Sequence, residues 1–272
     1  MTRRPVWWIV PLLCAVAFLW MVPVIYMIDL ALRTPGQAFD PSLITRNPTF
    51  ANFAQVLQQP GLGRYFLNSA VVAISTTIAT VVIGMLASYA FSRLRVPLRS
   101  LLFPLLLAQM FVPLAALLIP LTQLLKFLGL VNTYWGLIGP YTAIGLPFSL
   151  IVFKSAMDGF PQSLEEAARV DGASSFRTLV RIIVPLVRPA TLVVAIWQFL
   201  FSWNEFFLAL VIVTAPSVKT LPLAPLVYQG DYLTNLGDLF AILTLMTVVP
   251  ILLYAVLQRS FLSGLMQGGV KE

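Results

Sequence analysis

Charge is missing from long parts of this chain, and that absence limits what it can fold into. No Asp, Glu, Lys or Arg occurs from Pro5 to Ile28, Tyr65 to Ser92, Ser100 to Leu125, Phe127 to Phe153, or Leu239 to Gln258. Another stretch, Pro189 to Val218, holds only Glu205. A helix crossing ~30 Å of hydrocarbon needs roughly 20 apolar residues. All six stretches are long enough. The runs are continuous, whereas the strands of a barrel would alternate apolar and polar residues. The predicted fold class is therefore an all-α polytopic membrane protein with six transmembrane helices. The expected spans are about 7–28, 66–91, 101–125, 137–153, 189–213 and 239–257, in a single domain over 1–272. Only 10% of the residues are charged, against about 25% in soluble domains, so the bilayer must act as the solvent.

The net charge of +7 is read as orientation rather than as nucleic-acid binding. With the N-terminus inside, the outer segments carry Arg33, Arg46, Arg64, Lys126 and Lys219. The other 12 of the 17 Lys and Arg then lie inside. That asymmetry places both termini in the cytoplasm. Arg177, Arg181 and Arg188 are counted among these orienting charges. Residues 29–65 form a long proline-bearing outer loop. Pro104, Pro113 and Pro120 in the third span, and Pro140 and Pro147 in the fourth, predict kinks.

Several chemistries are absent. The chain has no His and one Cys, Cys14. That removes His-based acid–base and nucleophile chemistry, the commonest metal ligand, and thiolate metal clusters. No phosphate-binding G-x-x-x-x-G-K-[ST] loop occurs. A catalytic role is not expected, nor a metal or cofactor bound by this chain.

The cytoplasmic loop 154–188 is the most patterned segment. Pro161 ends what precedes it. Ser163 is placed to cap a helix, and Glu166, three residues on, completes a capping box. Glu165 and Arg169 stand four residues apart and are expected to pair. Gly172 is a natural C-terminal stop. The expected helix, Leu164 to Asp171, is roughly 12 Å long and marginal by itself. Its small residues Ala167 and Ala168 suit close approach by a partner. Ser174 or Ser175 then starts a second helix.

The run Glu166-Ala167-Ala168, three residues, Gly172, nine residues, Ile182-Ile183-Val184-Pro185 resembles the EAA loop of bacterial ABC importer permeases. One position departs from that pattern: Val184 stands for the usual Leu. Asp171-Gly172-Ala173, Trp203-Asn204-Glu205-Phe206 and the ending Ser263 to Lys271 are similar to the carbohydrate uptake group of the maltose-permease type. The resemblance implies the type I ABC importer permease fold, in the inner membrane, moving a sugar or oligosaccharide by alternating access. It implies four kinds of partner: a second homologous permease, an ATPase dimer carrying ATP and Mg, an external solute-binding protein, and membrane lipid. It assigns ATPase coupling to Glu166, Ala167, Ala168, Asp171, Gly172, Ile182 and Pro185. A permease for glycerol phosphate, peptide or polyamine, or a secondary transporter, are the alternative readings.

One acid, Glu205, falls inside an expected span. About 15 residues beyond Pro189, it lies in the outer half of the layer, and an acid there should avoid lipid. Gln198, Trp203, Asn204 and Glu205 are the candidate lining of the translocation path or its outer gate. Amide, carboxylate and aromatic groups suit a sugar.

Overall fold

A computed structural model describes residues 7, 9–37, 40–42, 44–228 and 235–269, with only the backbone beyond Gln258. The expected ending motif from Ser263 to Lys271 lies outside the described side chains. Among the described residues every regular element is helical. The chain divides into two compact units, 1–62 with 224–251 and 63–223 with 252–272.

In chain order the helices are α1 (Ile9–Ala31), α2 (Ala51–Gln58), α3 (Leu62–Arg93), α4 (Arg99–Ala108), α5 (Leu114–Phe127), α6 (Tyr134–Asp158), α7 (Ser163–Val170), α8 (Ser175–Thr178), α9 (Val184–Leu186), α10 (Arg188–Asn204), α11 (Phe207–Ile212) and α12 (Leu236–Gly269). Four unbroken helices are long and apolar enough to cross a membrane. Among the described residues two bent pairs, 99–111 with α5 and 175–186 with α10, bring the number to as many as six if each pair is one span. Several helices outrun their apolar stretches. At 32 residues, α3 is roughly 48 Å long, well beyond the ~30 Å of hydrocarbon. Absence of charge marks only the part of a helix that sits in lipid.

Two spans expected to be continuous are broken. The third turns by 106° between α4 and α5. Pro113 is the cause: its ring disfavours helix at the residue before it, and Val112 is extended at ψ 119. Pro104, Pro120, Pro140 and Pro147 stay inside their helices. The fifth span is broken at Glu205, which is extended (φ −69, ψ 120) and separates α10 from α11.

In the first unit, the segment after α1 is tied down from within and includes α2. Buried Arg33 donates to Asp29 Oδ2 at 2.9 Å and to the carbonyls of Asp40, at 2.6 Å, and Ser42. Asn52 on α2 donates to the carbonyls of Ala31 and Arg33, each at 2.8 Å. The first of these satisfies the last carbonyl of α1.

In the second unit, α3 and α6 meet along small residues. Thr76, Thr80, Gly84 and Ser88 on α3 are buried at every fourth position, one stripe of a helix. A Cβ at Gly84 would overlap Ser149 on α6. Small residues let helix backbones approach closely where lipid gives no hydrophobic drive. Two apolar cores flank this seam. One gathers Leu125, Leu137, Tyr141, Leu208 and Ile212 from α5, α6 and α11. The other gathers Met85, Phe153, Met157, Leu179, Ile183 and Val194 beside α7 and α8.

Candidate functional site

The helix α7 begins differently from expectation. Gln162, not Ser163, holds the N-cap position, and no side chain caps the helix. The Gln162 carbonyl takes the amides of Glu165 and Glu166, at 2.9 and 3.1 Å. The turn after Pro161 is already helical at Gln162 (φ −67, ψ −22), so Ser163 lies inside the helix and the predicted capping box does not form. Glu166 is left exposed, with Ala167 beside it. Leu164 and Val170 are also exposed, Val170 at 89%.

The end of α7 is a Schellman motif. Gly172 adopts φ +79, the left-handed region where glycine escapes a Cβ penalty. The amide of Gly172 bonds to the Arg169 carbonyl at 3.0 Å, and that of Ala173 to the Ala168 carbonyl at 2.9 Å. Asp171 and Gly172 face outward with Glu166, while Ala168 packs inward.

Glu165 does not pair with Arg169. Its side chain is 3% exposed and forms an ion pair with Arg93, which is 5% exposed, at the end of α3. Tyr89 Oη donates to Glu165 Oε2 at 3.4 Å. Arg93 also donates to the carbonyls of Met157 and Phe160, the latter at 3.1 Å, where α6 ends. A buried acid next to a guanidinium and a hydroxyl is satisfied in a way that exposed Arg169 cannot offer. Arg93 and Tyr89 were missed from sequence because they stand over 70 residues away from Glu165. The only available signal was a basic residue at a helix end, and that also serves orientation.

The return arm starts with Ser174, whose hydroxyl accepts from the Arg177 amide at 3.3 Å. A π-helical turn, Leu179–Ile183, follows. Buried Leu179 and Ile183 anchor it in the core beside α6, Ile182 is half-buried, and Pro185 is exposed. The arm meets α10 at a bend of 79°.

The four candidate path residues divide three to one. Gln198, Trp203 and Glu205 are buried, and Asn204 is exposed. Gln198 Nε2 donates to the Tyr141 carbonyl and to Ser202 Oγ, both at 3.1 Å. A Cβ at Gly145 would overlap its Oε1. Trp203 packs edge-on to Phe66 at 5.3 Å and stacks on Phe199 at 5.7 Å. Glu205 lies in a break, not within a helix as expected. Its carboxylate accepts the Leu208 amide at 3.0 and 3.1 Å, the Ala209 amide at 3.2 Å, and Tyr141 Oη at 2.7 Å. Phe206 holds the N-cap position of α11, and the carboxylate of Glu205 just before it satisfies the first free amides of that helix, as a capping side chain does. Tyr141 thus joins Gln198 and Glu205, whereas Asn204 bonds only to the Leu200 carbonyl of its own helix. Among the described residues no group of three His, Cys, Asp or Glu is placed to hold a metal.

The apolar helices and the EAA segment, with Glu166 and Ala167 exposed and Ala168 packed inward, fit a permease subunit. The sequence profile of the binding-protein-dependent transport system inner membrane component family matches residues 80–266. The chain belongs to this family of ABC importer permeases, so it is an inner-membrane, membrane-translocating subunit rather than an enzyme. A trehalose/maltose transport system permease protein of Thermococcus litoralis is 33% identical over 263 residues, covering 96% of this chain and 92% of the relative. A sulfoquinovosyl glycerol transport system permease protein of Agrobacterium fabrum is 32% identical over 253 residues, covering 92% and 89%. The crystal structure of a bacterial ABC transporter importing the acidic polysaccharide alginate has a chain with the same fold. It superposes with a TM-score of 0.81 at 20% identity, over 96% of this chain and 99% of that one.

Proposed function

We propose that this permease passes a sugar or oligosaccharide across the inner membrane by alternating access, driven by a separate ATPase that docks on α7. The observation that carries the docking is the two-sidedness of α7. Its inner face is held by Glu165 and Ala168, and its outer face offers Glu166, Ala167, Asp171 and Gly172 with exposed Leu164 and Val170. A two-turn helix with small residues and the exposed carboxylates of Glu166 and Asp171 suits a cleft that supplies a basic group. Ile182 and Pro185 belong to the arm that carries its motion to α10. ATP and Mg bind to the partner, and this chain binds no cofactor. Both termini lie in the cytoplasm, following the basic excess of the loop side. The working importer contains a second related permease, an ATPase dimer and an external binding protein.

The sugar reading rests on the relatives named above and on the composition of the candidate path. Asn204 is the residue that meets solute, and Gln198, Trp203 and Glu205 hold α10 and α11 behind it. The test is reconstitution of the importer with its binding protein. An ATPase subunit should co-purify with the permease, and labelled saccharide should enter vesicles only with ATP. Glu166→Lys should abolish uptake while the permease still inserts. Normal uptake by that variant would overturn the docking role, and uptake that needs no ATPase would point to a secondary transporter.

A further inference from the structure

Two consecutive glutamates on α7 have opposite environments, and the inner one is not explained by docking. Glu166 faces out, whereas Glu165 is buried against Arg93. The chain alone cannot make α7 a rigid lever. It enters through the turn Gly159–Gln162 and leaves through a left-handed glycine, Gly172. At eight residues, α7 is too short to be stable unsupported. Besides the return arm to α10, force reaching its outer face can therefore reach α3 and α6 only through side-chain contacts on its inner face.

Those contacts converge on one guanidinium. Arg93 is the last residue of α3 and binds the Glu165 carboxylate of α7. It also takes the Met157 and Phe160 carbonyls at the end of α6. Tyr89, one turn back on α3, adds a hydroxyl to the same carboxylate. One planar fork thus ties three elements together. Apolar packing such as that of Ala168 can slide, whereas a buried, multiply bonded ion pair resists displacement in both directions.

We propose that Glu165 and Arg93 are positioning residues forming the joint through which movement of α7 becomes movement of α3 and α6. The inference rests on the ATPase-docking reading above. In it, the outer carboxylate engages the ATPase and the inner one transmits the stroke.

The experiment uses the complete importer in vesicles, measuring ATP hydrolysis and saccharide uptake on the same preparation. Glu165→Gln should leave ATPase co-purification and hydrolysis near wild type, while uptake per ATP falls roughly tenfold or more because the buried pair is broken. Arg93→Lys keeps the charge but loses the fork, and should lower uptake per ATP about threefold or more. A purely structural role would reduce the amount of permease without changing uptake per ATP. If Glu165→Gln fails to assemble, Arg93→Lys decides: a wild-type ratio overturns the joint. Glu166→Lys separates the two ideas. If it transports normally, the docking reading fails. If it fails while Glu165→Gln keeps the wild-type ratio, only the joint is wrong.

Discussion

Replacing Glu205 by alanine tests whether the one acid within the fifth span is a structural cap. The wild-type carboxylate accepts two amides of α11 and the Tyr141 hydroxyl, and it is 6% exposed. Loss of a side-chain cap costs about 0.5–2 kcal/mol. Leaving the Tyr141 hydroxyl buried without its acceptor costs about 1–3 kcal/mol. The two effects act on one cluster, so Glu205→Ala should destabilise the subunit by about 2–4 kcal/mol. For a chain of this size that lowers the unfolding midpoint by roughly 5–10 °C. Glu205→Gln keeps one acceptor oxygen and should lose about 1 kcal/mol. Thermal unfolding of the purified importer in detergent, followed by tryptophan fluorescence, reads both, since buried Trp203 lies two residues away. The expected order of midpoints is wild type, Gln, then Ala. A Glu205→Ala midpoint within about 1 °C of wild type, together with lost uptake, would refute the capping argument and put the carboxylate in the solute path.

Three other perturbations follow from local geometry. Gly172→Ala adds a Cβ that touches nothing within 4 Å, so its cost is conformational alone; about 1 kcal/mol of left-handed strain should speed chymotryptic cleavage near Phe176 about fivefold. Gly136→Ala would overlap the Leu130 carbonyl, a backbone atom that cannot yield, and should cost about 1–3 kcal/mol in unfolding assays. Gly139→Ala, with open space on the same helix, is its control and should leave the midpoint unchanged or raised. Arg33→Ala takes the cation from Asp29, which among the described residues keeps only the Thr45 amide at 2.8 Å, and the donor from two carbonyls, and should cost about 3–5 kcal/mol, seen as a lower level of subunit in membranes.

The fold was legible where it depends on composition, and much less so where it depends on contacts distant in sequence. Five charge-free stretches and one with a single acid were enough to mark the four unbroken spans and the two bent pairs among the described residues, because lipid imposes the same demand on every residue along a helix. Five prolines in the third and fourth spans carried equal weight in sequence, yet only Pro113 breaks a helix. The other four stay within helices, a choice made by packing. Glu205 was noticed as an anomaly, but its role depended on a chain break that no hydropathy pattern records. On the loop, Gly172 could be read because the left-handed turn is a local matter. Glu165 could not, because an i,i+4 partner was in view and Arg93 was not. The capping box failed for a smaller reason: the helix starts one residue early, and a single step in register turns a cap into an interior residue.

The crowding of α6 has a consequence for how the protein responds to its lipid. In its most apolar window 61% of the residues are buried within the chain, against none in that of α1 and 11% in that of α12. Its partners are Ser88 of α3, Gln198 of α10 and Glu205 near α11. A change in bilayer thickness or acyl composition therefore acts first on α1 and α12, whose surfaces are lipid-sized and open. The helix that carries the polar cluster at one end and meets Arg93 at the other is sheathed by its own neighbours. Transport by such a subunit should tolerate varied membranes, because α6 is solvated mostly by protein, whereas α1 and α12 are open to fat.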